Sequence, residues 1–217
     1  MKNIKKIISL VLTLVLCFSI FTINAYADQT LETKLKNTNW SGKKSSITIV
    51  VKQPISGTRN AVSEFPGVDV GHTFIRLEKV TADGVGSYVS YFGFYPKNQI
   101  NEKDVTFSKS VDGKIWLDFD HSWNIARTYS ITPAQADAVS AWVASYTTKY
   151  NIETNNCTTF AVNALKKAGI LNTGISQHSW TLPQSWLDEI PDFRDWYGYT
   201  PGDAGEDLRG LTNVFIN

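Results

Sequence analysis

Asn155-Asn156-Cys157-Thr158-Thr159-Phe160-Ala161 sets the only cysteine after residue 27 at the start of a helix. Phe160, Ala161, Ala164, Leu165 and Ala168 recur at helical spacing, and Gly169 follows as a C-terminal cap, so a helix is expected from about Cys157 to Ala168. Cys157 falls on the same apolar stripe, three residues before Phe160 and four before Ala161. Two roles suit it there. It is a small buried hydrophobe, or it is a nucleophile whose thiolate is favoured by the helix N-terminus.

Upstream, Thr132-Pro133-Ala134-Gln135 reads as another helix start, with Thr as N-cap, Pro at the first position and Gln three after the cap. Val139, Trp142, Val143, Tyr146 and Tyr150 continue that helical spacing. The preceding region changes period. Ile47 to Val51, Gly71 to Glu78, Ser87 to Phe94, Lys114 to Phe119 and Ile125 to Ile131 are β-branched and aromatic runs, with Gly57 to Gly67 and Asp112-Gly113 as loops between them. Strands first and helices afterward predict an α+β fold, a mostly antiparallel sheet packed against helices.

The N-terminus reads as a processing segment. Lys2, Lys5 and Lys6 precede an apolar run from Ile7 to Ile23, and Ala25-Tyr26-Ala27 comes before Asp28. That order predicts a signal peptide over residues 1–27, cleaved after Ala27, and a secreted protein with no stable membrane anchor after cleavage. Leu16 before Cys17 does not fit a lipoprotein signal. Removing the segment leaves 18 Lys and Arg against 20 Asp and Glu, a balance of −2 that marks neither a nucleic-acid binder nor a membrane-surface binder. Residues 28–45 form a polar lead-in, and 46–217 suffice for one domain.

A thiol nucleophile wants an imidazole to take its proton and return it to the leaving group. Three histidines are available: His72 on a strand directly after a Gly-rich loop, His121 at the end of a strand, and His178 after the second helix. A metal site is disfavoured because these residues lack paired zinc spacings. In Asp118-Phe119-Asp120-His121, strand alternation would also send the two acids to one face and the imidazole to the other.

Gly71-His72-Thr73-Phe74-Ile75 on a strand, followed by the Cys157 helix start, resembles the circularly permuted branch of the papain-like, NlpC-like cysteine hydrolase superfamily, to which lecithin retinol acyltransferase-like proteins are similar. The resemblance spans roughly Ile47 to Leu187 and includes the trailing Leu182-Pro183-Gln184-Ser185-Trp186-Leu187. It implies a permuted papain-like fold, Cys157 as nucleophile, His72 as base and no cofactor. The family usually carries a third polar residue on the strand after the histidine. Here Ser87-Tyr88-Val89-Ser90-Tyr91-Phe92-Gly93-Phe94 has none of the usual types, which leaves Ser90, Tyr91, Asp118, Asp120 and His121 open for that place.

The Cys157 N–H is an expected oxyanion donor, and Asn155 and Asn156 are further candidates, although an Asn just before a helix first of all suits an N-cap. The implied substrate is a peptide, a peptidoglycan amide or a protein, acted on through a Cys157 thioester, with lipid acyl transfer and glutamine deamidation as alternatives. The loop Ser56 to Val70 leads into His72 and is expected to border the cleft. A different class also fits: a non-catalytic secreted binding protein with a structural Cys157, whose late aromatics Trp180, Trp186, Trp196, Tyr197 and Tyr199 line a groove.

Overall fold

The computed structural model describes residues 44–59, 69–81, 86–98, 110–181, 184, 188 and 195–216. The expected leader and nearly all of the expected polar lead-in, the middle of the Ser56–Val70 loop and most of Leu182–Leu187 lie outside these. The described residues between 44 and 118 and between 123 and 216 form one compact unit; Phe119–Ser122 group apart from it and are described by themselves.

Nine strands are described: β1 (Ser45–Lys52), β2 (His72–Val80), β3 (Ser87–Pro96), β4 (Val111–Trp116), β5 (Ile125–Ile131), β6 (Lys149–Tyr150), β7 (His178–Thr181), β8 (Asp195–Gly198) and β9 (Val214–Ile216). The described helices are α1 (Pro133–Ala144), α2 (Cys157–Lys167) and α3 (Pro201–Leu208). Seven strands make one sheet in the order β6-β4-β3-β2-β1-β5-β9, with every neighbouring pair antiparallel. β7 and β8 form a separate two-stranded ribbon. This is an α+β architecture with a mostly antiparallel sheet.

The centre of the sheet follows from its sequence. Ile47, Ile49 and Val51 of β1 stand opposite Leu77, Ile75 and Thr73 of β2, and the apolar members of this set share one core with Phe94. Onto that core pack Ala136, Val139 and Val143 of α1 and Phe160, Ala161, Ala164 and Leu165 of α2. The alternate residues Val50 and Phe74 are also buried, so β1 and β2 are covered on both faces. Such doubly covered strands read as continuous apolar runs. Phe160 is the joint of the layers: its ring stacks on Trp142 at 5.4 Å and contacts Tyr146 at 5.1 Å and Phe94 at 6.0 Å.

Both expected helices form, but α1 stops at Ala144, so Tyr146 lies beyond its cap and Tyr150, read as part of the same helical spacing, pairs in β6 instead. Thr132 Oγ1 accepts the Gln135 N–H and Gln135 Oε1 accepts the Thr132 N–H, the reciprocal pair read from the sequence. α2 ends one residue earlier than expected, with Ala168 as its cap, and Gly169 then takes a left-handed φ of 85°. Bonds from Gly169 N–H to Lys166 O and from Ile170 N–H to Leu165 O close the turn.

One expected strand is displaced. β4 spans Val111–Trp116 rather than Lys114–Phe119, because the Asp112-Gly113 pair, read as a loop, is drawn into the ladder between Pro96 and Lys149. Asp118 and its neighbours therefore lie beyond the strand, and the alternation argument used to separate Asp118 and Asp120 from His121 does not apply. Among the late aromatics, Tyr199 packs against the core.

Because Phe160 is fully buried between three elements, Phe160→Ala should cost about 3–5 kcal/mol of stability. The check is the urea midpoint; a loss below about 1 kcal/mol would show that these layers do not depend on it.

Candidate active site

β2 begins at His72 and α2 begins at Cys157, and the two starts meet. The residues that follow them are fastened together: Thr73 Oγ1 and Thr158 Oγ1 lie 2.9 Å apart, both fully buried. His72 and Cys157 share a side-chain hydrogen bond. On its other side the imidazole is held by Asp118, whose Oδ2 is 2.8 Å from His72 Nε2. With Nε2 engaged by the acid, Nδ1 is the nitrogen that remains for the sulfur.

All three groups are buried, at 5% exposure for Cys157, 7% for His72 and 3% for Asp118. Burial alone would disfavour the charged ring, but the hydrogen bonds and charges of Asp118 and Cys157 outweigh it and raise the His72 pKa to about 9. For Cys157 burial pushes the thiol up. The hydrogen bond and charge of His72, the Thr73 backbone N–H and the Thr158 hydroxyl overcome that and bring it below its ordinary value. Both shifts favour a thiolate beside an imidazolium, and the first turn of α2 adds its dipole in the same sense.

Two aromatic rings pack on the imidazole: Phe74 at 5.7 Å and Tyr95 at 4.5 Å, both stacked. Tyr95 Oη donates to Asp118 Oδ1 at 2.7 Å. Burial, followed by this bond, raises the phenol pKa well above its ordinary value, so Tyr95 stays a donor.

The other residues singled out by sequence lie as follows. Ser90 and Tyr91 stand opposite Leu77 and Arg76, well along β2 from His72. The Tyr91 carbonyl accepts the Asp118 N–H at 3.3 Å. Asp120 and His121 belong to the separate Phe119–Ser122 segment, where Asp120 Oδ1 is 4.0 Å from His121 Nδ1.

His178 sits elsewhere, its Nε2 2.8 Å from Arg59 Nη1 and 2.7 Å from Asp207 Oδ2. Asn156 is the N-cap of α2: its Oδ1 accepts the Thr159 N–H at 3.0 Å and its Nδ2 donates to Ile152 O at 2.8 Å. The Asn155 amide likewise donates to Lys149 O at 2.7 Å.

Sequence reading did not single out Thr73, Thr158 or Tyr95. The two threonines are visible only as neighbours of the candidate pair, and Tyr95 lies one residue past the expected end of its strand. Comparison of the chain with models of known protein families, with curated proteins and with solved structures found no match.

The His72 ring, followed by NMR, should titrate with a midpoint near 9, protonated below and neutral above. In Asp118→Asn the midpoint should fall by about 1–3 units, since burial opposes the charged form once the acid is gone. A midpoint unchanged by that substitution would mean that Asp118 does not act on the ring.

Proposed function

We propose that the chain is a secreted cysteine hydrolase or acyltransferase of the permuted papain-like, NlpC-like type, acting on a peptide or cell-wall amide through a Cys157 thioester. The observation that carries the reading is the buried sequence of contacts from Cys157 to His72 to Asp118, with the acid 2.8 Å from the imidazole. The order of the motifs, histidine strand before cysteine helix, supports the permuted type. The basic, apolar, Ala-x-Ala leader supports export, and export favours a wall or peptide amide over a cytoplasmic substrate.

In the reaction, the Cys157 proton rests on His72 from the outset and the thiolate attacks the carbonyl carbon, forming the C–S bond as the carbonyl electron pair moves onto oxygen. The first N–H groups of α2, beginning with that of Cys157, are the donors nearest to the developing oxyanion. Collapse of the tetrahedral intermediate breaks the C–N bond, and the imidazolium protonates the departing amine. Water, or an acceptor amine or alcohol, gives its proton to His72, attacks the thioester and releases Cys157. Asp118 holds the ring in the tautomer with the proton on Nε2 and stabilises the imidazolium throughout. No cofactor enters this sequence.

A second reading, a secreted binding protein with a structural Cys157, is favoured by one observation: the thiol is only 5% exposed. Incubation with peptidoglycan fragments and with short peptides distinguishes the two. The hydrolase reading expects new amino groups and, on rapid quenching, an acyl adduct on Cys157 by mass spectrometry. His72→Ala should slow turnover about 10²–10⁴-fold and Cys157→Ala should abolish the adduct. Binding of such fragments without turnover, unchanged in Cys157→Ala, would establish the second reading instead.

A further inference from the structure

β3 runs beside His72 and carries no acid, yet it surrounds one. Continuing the β2–β3 register from Phe74 opposite Gly93 brings Tyr95 across from His72. Three alternating residues of β3 then meet Asp118. The Tyr91 carbonyl accepts its N–H at 3.3 Å. The Tyr95 hydroxyl donates to its Oδ1 at 2.7 Å. Between them, Gly93 leaves open the space that the carboxylate fills: a Cβ there would lie 1.7 Å from Asp118 Oδ2 and 2.7 Å from its Cγ.

From this arrangement we propose, resting on the Cys157–His72–Asp118 reading above, that β3 is the seat of an acid supplied from beyond β4. Tyr95 is a positioning residue that fixes the carboxylate against His72, and Gly93 is the aperture that admits it. The carboxylate is held at both ends, Oδ1 by the phenol and Oδ2 by the imidazole, so it cannot rotate away from the ring without giving up a bond in a buried site. The Tyr95 ring also lies on the imidazole at 4.5 Å, limiting its swing.

Within the compact unit, Cys157 from α2 acts on both His72 and Tyr95, and Tyr150 from β6 acts on Tyr95. Lys52, paired with His72 across β1, is engaged by Asp69 at 2.9 Å. The phenol acts on His72 through Asp118. Without it the acid loses a charge-assisted bond, the imidazolium loses its fixed counter-charge, and the thiolate is less favoured.

The test is the pH dependence of Cys157 alkylation by iodoacetamide, read by mass spectrometry of the Cys157 peptide, in the wild type, Tyr95→Phe, Asp118→Asn, the double variant and Gly93→Ala. Phe keeps the stacked ring and removes only the hydroxyl. Tyr95→Phe should move the midpoint up by about half to one unit, slowing alkylation roughly 3- to 10-fold at pH values below the wild-type midpoint. In the Asp118→Asn background the same change should add nothing, and Gly93→Ala should reproduce the Asp118→Asn midpoint. A Tyr95→Phe midpoint equal to wild type, or an equal shift with and without the acid, overturns the proposal.

Should Tyr95→Phe fail to fold, the Tyr95 phenol gives the same answer by tyrosine Cζ NMR. Its titration should begin at lower pH in Asp118→Asn, and an unmoved phenol overturns the seat. A wild-type thiol that reacts only after unfolding removes the functional reading and the seat together. A low wild-type midpoint with an indifferent Tyr95 removes the seat alone.

Discussion

The hydroxyl pair Thr73–Thr158, 2.9 Å apart and fully buried, fastens the first turn of α2 to the start of β2, and the candidate chemistry depends on that junction. His72 precedes one threonine and Cys157 precedes the other. A slip of either element by one residue would rotate the ring or the sulfur out of reach, since strand neighbours alternate faces and helix neighbours turn by about 100°. The junction is held from behind by the Phe160 cluster, which locks α2 against α1 and β3. The same apolar stripe that makes the helix amphipathic therefore sets the position of the thiol.

Burial gives the site its character. Removing His72 and Cys157 from water penalises a charge on either, so the pair supports charge only because each group supplies the other's counter-ion and Asp118 supplies a second. In such surroundings, hydrogen bonds from the Thr73 N–H and the Thr158 hydroxyl to the sulfur count for more than they would at a surface. The second polar cluster, Arg59, His178 and Asp207, is arranged differently. It ties a loop after β1 to β7 and α3 and contains no nucleophile.

Much of the frame was legible because it is local. The capping box at Thr132 and the apolar stripe from Cys157 to Ala168 are written in consecutive residues, and the five long strands are runs of β-branched and aromatic side chains. The short strands β6 to β9 and helix α3 were not foreseen, since segments of a few residues carry no period of their own and form by pairing with what is already folded. Cys157 and His72 were legible as residue types in context. Asp118 was one of five candidates for the third place. Choosing it required knowing that β4 stops at Trp116, which depends on the edge pairing of Asp112 and Gly113 rather than on any residue near the acid. That β3 carries none of the polar types expected beside the histidine was visible in its sequence. That Gly93 makes room for a carboxylate from elsewhere is a property of an absent side chain, and only the assembled sheet reveals it.

The proposed chemistry stands or falls on whether His72 holds Cys157 as a thiolate in the folded protein. The most direct test is the thiolate absorbance near 240 nm as a function of pH in the wild type, with Cys157→Ala as the blank, and again in His72→Ala. A thiolate held by His72 persists below the ordinary thiol range of about 8.5 and moves up when the imidazole is removed. A thiolate that appears only above that range, at the same pH with or without His72, would contradict the proposed chemistry and leave Cys157 as a packing residue.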